Sequence, residues 1–162
     1  MKAIGIIPAR MGASRFPGKP LAHLLGMPMV GHCYHRTCLA KGLSDVFVAT
    51  CDDVIADYVK SIGGIAIMTS SEHDRASTRT AEALDIIEEN LGETIDVVVM
   101  VQGDEPLITP EAISVTLKHF EDPRVNIVNI MSRINSEEAF RDHNNVKVVV
   151  NSNSDALYFS RE

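Results

Sequence analysis

The sequence predicts an α/β domain with a mainly parallel, doubly wound sheet and helices on both faces, and three observations carry that prediction. Short apolar runs that suit strands alternate with helical segments, the links between them are short, and residues 95–101 are apolar at almost every position. A near-continuous apolar run marks a strand covered on both faces, as in parallel sheets. Alternating strands and helices with short links form βαβ units, and such sheets bind ligands at the carboxyl ends of their strands. With 162 residues, 45% of them hydrophobic, the chain is long enough for one full core, so a single domain over residues 1–162 is expected.

Each element has its own signal. Ala3, Ile4, Ile6 and Ile7 read as the first buried strand, and Pro8 closes it because proline has no N–H to give a sheet ladder. Residues 24–29 turn into a helix over 30–41, with Pro28 near its first turn and Gly42 just past its end. Residues 46–49 form the second strand; Asp53 then stands ready to cap a helix running to Ile62, which Gly63 and Gly64 break. Residues 65–68 make a short third strand. A polar segment over 69–78 leads into an amphipathic helix over 79–90, where Ala83, Ile86, Ile87 and Leu91 recur at helical spacing. The run at 95–101 is the fourth strand and the expected sheet centre. Pro110 starts a helix to about Phe120, residues 125–134 read as a strand, 137–141 as a short helix, and 146–150 and 156–159 as two closing strands.

The loop after the first strand carries most of the chemistry. It sets Arg10, Arg15 and Lys19 among Gly12, Ala13, Ser14 and Gly18, small residues that let backbone N–H groups approach an anion closely. It is not a nucleotide-triphosphatase P-loop, since five residues rather than four separate Gly12 from Gly18 and Pro20 stands where a magnesium-binding Ser or Thr should follow Lys19. The charge distribution agrees with a small anion as ligand. Residues 1–44 hold six of the 15 Lys and Arg and no Asp or Glu, while the rest of the chain sets nine basic against all 22 acidic residues. An acidic bulk around a basic loop disfavours a nucleic-acid partner.

A second strand end adds a complementary group. In Gln102-Gly103-Asp104-Glu105-Pro106, Gly103 permits a tight turn and Pro106 stiffens it, leaving Asp104 to project as a hard oxygen ligand of the kind Mg²⁺ accepts beside phosphates. His32, Cys33 and His35 lie on a predicted helix with no fourth ligand at hand, and read as helix packing. Cys33, Cys38 and Cys51 include no CxxC pair, no cleavable leader is recognisable, and no run approaches the ~18 apolar residues of a membrane helix. The expectation is a cytoplasmic protein with reduced thiols and no membrane span.

The loop IPARMGASRFPGKPL (7–21), the strand end VQGDEPLI (101–108) and the segment ALYFSR (156–161) together resemble the 3-deoxy-manno-octulosonate cytidylyltransferase (CMP-Kdo synthetase) family, in the expected order along the whole chain. Related acylneuraminate cytidylyltransferases share a version of the first loop. The resemblance implies a Rossmann-like nucleotide-diphospho-sugar transferase fold and transfer of CMP from CTP to the anomeric hydroxyl of a 2-keto sugar acid, with release of pyrophosphate, for lipopolysaccharide synthesis. It implies Mg²⁺ as cofactor, bound by Asp104. It also implies that Arg10, Arg15 and Lys19 hold the triphosphate with Lys19 nearest the reacting phosphoryl group, that Pro8, Ala9 and Ser14 meet the nucleotide, and that Gln102 touches the sugar acid. Lys19, Arg15 and Asp104 are then the catalytic set.

In a further loop the family pattern is H-x-S-G-T-D/E-R, read as base recognition. His73 and Arg79 match it and Ser77 supplies a hydroxyl in place of Thr, so Ser77 and Arg79 join the nucleotide-binding candidates; Arg75, Ala76 and Thr78 depart from it. Relatives continue through a dimer-forming segment and a late Asp that shares the metal, so the domain is expected to be incomplete at its C-terminus and a homodimer is expected if that segment exists. The alternatives are a shortened, noncatalytic nucleotide-binding homologue and a cytidylyltransferase for another sugar acid such as a sialic acid.

Overall fold

A computed structural model of the chain describes residues 1–12 and 16–162. They divide into two compact units, residues 1–126 and 127–162.

The first unit is built on β1 (Ala3–Pro8), β4 (Asp45–Thr50), β5 (Ile65–Met68) and β6 (Val97–Met100), which pair in parallel in the order β5-β4-β1-β6. Between β1 and the first long helix lie a 3-10 turn (Lys19–Leu21) and a two-residue ribbon of β2 (His23–Leu24) and β3 (Met27–Pro28). The helices are α1 (Met29–Cys38), α2 (Asp53–Ser61), α3 (Ala76–Leu91) and α4 (Pro110–Lys118). Side-chain alternation along the two inner strands divides them between the faces. Ile7, Val46 and Val48 pack with Val30 and Cys33 of α1, Ile55 and Val59 of α2 and Ile113 of α4. Ile4, Ile6, Phe47 and Ala49 pack with Ala83 and Ile87 of α3. The expected α/β architecture with helices on both faces is thus present, and the all-parallel sheet follows from the crossover helices.

Pro8 belongs to β1 instead of lying beyond it. Ile6 accepts from Val101 N–H at 3.0 Å on the β6 side and Ala9 donates to Ala49 O at 2.9 Å on the β4 side. By alternation the missing N–H of Pro8 falls on the β6 side, past the last paired residue, Met100 opposite Ile6.

Several expectations are corrected. The fourth predicted strand is not central: β6 is an outer strand of the described sheet, and β1 lies inside it. Its apolar run reports coverage of both faces, Val98 against the α3 side and Val97 and Val99 against the other, which an outer strand also obtains. The first helix ends at Cys38, three residues early, where Ala40 N–H bonds Thr37 O at 3.0 Å and tightens the chain into a turn. The third helix begins at Ala76, so residues assigned to a polar loop form its first turn. Asp52, not Asp53, occupies the N-cap position of α2.

The second unit holds α5 (Glu137–Arg141) and an antiparallel hairpin of β7 (Lys147–Val150) and β8 (Ala156–Ser160). Residues 125–134 form no strand. Apolar residues alone do not make one without a ladder partner, and Ile127 and Ile130 stay exposed.

Gly5 explains how closely α1 approaches the sheet: a Cβ there would stand 2.9 Å from Cγ2 of buried Thr37. Gly5→Ala should lower unfolding stability by about 1–3 kcal/mol in urea titrations, as overpacking does. Gly12→Ala, at an open position, should change it little.

Candidate functional site

Two strand ends meet at one cleft. β1 ends at Pro8 and β6 at Met100, side by side, so the segments that follow them emerge together at the carboxyl edge of the sheet. The segment after β1 is tied at both ends. Met11 N–H donates to the Asp52 carboxylate at 2.8 Å, and Gly18 N–H donates to Met11 O at 3.1 Å. Gly18 takes a left-handed φ of 74° before the 3-10 turn, and buried Pro20 anchors that turn, which leaves Lys19 pointing from a fixed backbone. After β6, Glu105 N–H donates to Gln102 O at 3.1 Å and closes the turn that carries Asp104.

Gly103 has a role other than the expected one. No positive φ is needed there; a Cβ would lie 2.8 Å from the Pro8 carbonyl oxygen. Glycine is required so that the second segment can lie against the end of β1.

The resulting cleft, about 240 Å³, is lined by Pro8, Ala9, Arg10, Lys19, Pro20, Asp74, Ala76, Gln102, Gly103 and Asp104. A smaller lobe of about 80 Å³ shares Pro8, Ala9, Arg10, Asp74 and Ala76 and adds His73, Arg75 and Arg79. The structure therefore gathers Pro8, Ala9, Arg10, Lys19, Gln102, Asp104 and Arg79 of the sequence candidates around two hollows that share a wall. Ser77 lies exposed on the first turn of α3, outside the lining of either lobe. Ser14 and Arg15 lie outside the described residues.

Lys19 and Arg10 each lie beside a carboxylate. Lys19 Nζ stands 2.5 Å from Asp104 Oδ2. Arg10 Nη1 donates to His73 O at 3.1 Å and lies 3.6 Å from Asp74 Oδ1. Arg79 is 2% exposed and donates to Thr69 Oγ1, to Ser70 O at 3.2 Å and to His73 O at 3.4 Å, holding the 69–73 segment that walls the smaller lobe. Glu82 braces the same segment. It accepts from Ser70 N–H at 2.9 Å and meets His73 Nε2 at 2.5 Å, and these contacts, the Ser70 bond foremost, hold its carboxyl below the ordinary value of 4.5. Cys33 lies beneath the Asp104 turn, where burial first, and then the Asp104 and Glu105 charges, push its thiol up to about 11. It is a neutral core thiol, His32 Nε2 is engaged with Leu24 O at 2.8 Å, and His35 is exposed.

Asp52 and Glu82 were missed by sequence reasoning. Asp52 was legible through the strand-end rule, since it follows β4, the neighbour of β1. Glu82 gave no local signal, because it reaches Ser70 and His73 only once α3 folds back beside the 69–73 segment.

The profile described as cytidylyltransferase matches residues 4–162. The 3-deoxy-manno-octulosonate cytidylyltransferase of Thermodesulfovibrio yellowstonii is 46% identical over 99% of this chain and 64% of its own length. The 8-amino-3,8-dideoxy-manno-octulosonate cytidylyltransferase of Shewanella piezotolerans is 45% identical over 96% of this chain and 63% of its own. Among solved structures, CMP:2-keto-3-deoxy-manno-octonic acid synthetase complexed with CTP superposes with a TM-score of 0.92 at 40% identity, over 99% of this chain and 64% of that one. The chain thus spans a little under two thirds of the length of these relatives. Among the described residues no helix is long and apolar enough to cross a membrane.

Glu82 yields a signed pH prediction. A carboxyl with a depressed folded-state pKa adds stability above its unfolded value of 4.5, and that stability is lost as pH falls through the folded value. Glu82→Gln should lower the melting temperature at pH 6, and the difference from wild type should shrink towards pH 3 in a series of thermal melts.

Proposed function

The chain belongs to the cytidylyltransferase family, and from that premise we propose that it carries the nucleotide site of an enzyme transferring CMP from CTP to the anomeric hydroxyl of a 2-keto sugar acid, the substrate class named for its relatives. The observation that carries the reading is the convergence of Arg10, Lys19, Gln102 and Asp104 on one cleft at the ends of β1 and β6.

In this reading the phosphate oxygens of CTP replace Asp74 and Asp104 as partners of Arg10 and Lys19. A phosphate offers more acceptor oxygens than a carboxylate and so satisfies both cations together. Pro8, Ala9 and the smaller lobe take the nucleoside, and Gln102 offers its amide to the sugar acid. The sugar hydroxyl attacks the α-phosphorus in line, forming an O–P bond as the bond to the departing pyrophosphate breaks, and its proton passes to solvent. Lys19 stabilises the charge that collects on the pyrophosphate, an interaction strongest in the transition state. No covalent nucleophile is required, since alignment and charge stabilisation supply the catalysis.

Among the described residues no group of three or more His, Cys, Asp or Glu side chains is gathered to hold a metal. The donor set nevertheless fits Mg²⁺, which binds through one or two carboxylates with substrate phosphates and water completing its shell. Asp104, half-exposed in the cleft, is the carboxylate that would hold it, and the ion would supply charge neutralisation on the phosphates. Arg15 is assigned to the triphosphate, Ser14 to the nucleotide, and Ser77 and Arg79 to the nucleoside end, by the resemblance alone.

The test is release of pyrophosphate from CTP. It should depend on a 2-keto sugar acid such as 3-deoxy-manno-octulosonate or its 8-amino analogue, and neutral sugar phosphates should not support it. CTP binding by calorimetry without turnover on any sugar acid would instead identify a nucleotide-binding protein without catalysis. Lys19→Ala should weaken CTP binding on the order of tenfold or more, as loss of a charge-assisted contact does, and weaken CMP binding far less. Equal losses for both nucleotides would remove Lys19 from the triphosphate end.

A further inference from the structure

We propose that Lys19 guards Asp104, so that the cleft admits a divalent cation only together with a triphosphate and excludes the free ion. The proposal rests on the nucleotide-site reading above and deepens it by naming the form of the ligand: a metal–triphosphate complex instead of metal and nucleotide taken separately.

The geometry supplies the reason. The Lys19 ammonium sits 2.5 Å from Asp104 Oδ2, within direct ion-pair contact. A free divalent cation arriving there would meet a carboxylate already neutralised and a positive charge beside it. Among the described residues no group of three potential ligands is gathered to compensate, and Asp74, the other acidic side chain that lines the cleft, lies beside Arg10. One paired carboxylate is a poor site for an ion that holds its water tightly.

A triphosphate alters both terms at once. Its oxygens attract the Lys19 ammonium away from Asp104, which frees the carboxylate, and they add oxygen donors next to it. The exchange needs only side-chain rotation. Lys19 stands on a backbone held by the Gly18–Met11 bond at 3.1 Å and by Ala22 N–H to Lys19 O at 3.1 Å, while its four-carbon stem turns freely. About a third of the Lys19 side chain and half of the Asp104 side chain are exposed, so both are within reach of an incoming ligand. By linkage, the metal must then raise affinity for the triphosphate by the same factor as the triphosphate raises affinity for the metal.

The experiment titrates Mn²⁺ alone, as a paramagnetic stand-in, into the nucleotide-free protein and follows the free ion by electron paramagnetic resonance. Lys19→Met should increase the Mn²⁺ affinity by about five- to tenfold, the scale of removing one partly screened charge from contact distance. The double variant Lys19→Met/Asp104→Asn should lose the gain. Lys19→Gln, checked for folding by thermal melting, should behave as Lys19→Met does. Unchanged Mn²⁺ affinity in both Lys19 variants, or a gain that survives removal of the Asp104 carboxylate, would overturn the proposal. Calorimetry with CTP separates the two readings. Wild-type protein that binds CTP while the Lys19 variants leave Mn²⁺ affinity unchanged defeats only the guard; wild-type protein that fails to bind CTP defeats the nucleotide site, whatever Mn²⁺ does.

Discussion

The cleft depends on the pairing of β1 with β4 on one side and β6 on the other. In a parallel sheet all strands finish at the same edge, so the segments following neighbouring strands emerge side by side. Pro8 and Gly103 are neighbours for this reason, and residues 85 positions apart, Lys19 and Asp104, come into contact. The approach is completed by Gly103, whose missing side chain lets the second segment lie on the Pro8 carbonyl. Asp52, at the end of β4, ties down the backbone of Met11 from the other side. Three adjacent strand ends therefore contribute one part each: a cation-bearing loop, a carboxylate-bearing turn and an anchor.

The electrostatics of this arrangement differ from those of a bare cationic cradle. Lys19 and Arg10 each face a carboxylate, Asp104 and Asp74, from another segment. Such partly exposed pairs contribute little to stability, but they hold the side chains in the cleft and balance charges before a ligand arrives. In the proposed function an anionic ligand exchanges partners instead of meeting an unneutralised cluster.

The fold and the site were legible to different depths. β1, β4, β5 and the hairpin strands of the second unit follow from apolar runs bounded by Gly, Pro and polar residues, and α2 and α4 from their break and start signals. The errors fall where local pattern is ambiguous. An apolar run such as 95–101 reports that both faces are covered and cannot report whether another strand lies beyond it. Residues 125–134 carry strand-like residues without a partner. The start of α3 was set too late because Ala76, Ser77 and Thr78 are small or polar, and residues of that kind serve a helix's first turn as readily as a loop.

By itself the sequence determined the alternation of strands and helices, the concentration of cations after the first strand, and the presence of a carboxylate after the fourth, since each depends on residue type and spacing along the chain. Tertiary structure alone decided that Arg79 holds the 69–73 segment from within, that Glu82 braces it, that Asp52 anchors Met11, and that Lys19 and Asp104 neutralise each other. These contacts join groups from 9 to 85 positions apart; they are set by strand order and by how closely backbones can approach, and a linear pattern contains neither quantity.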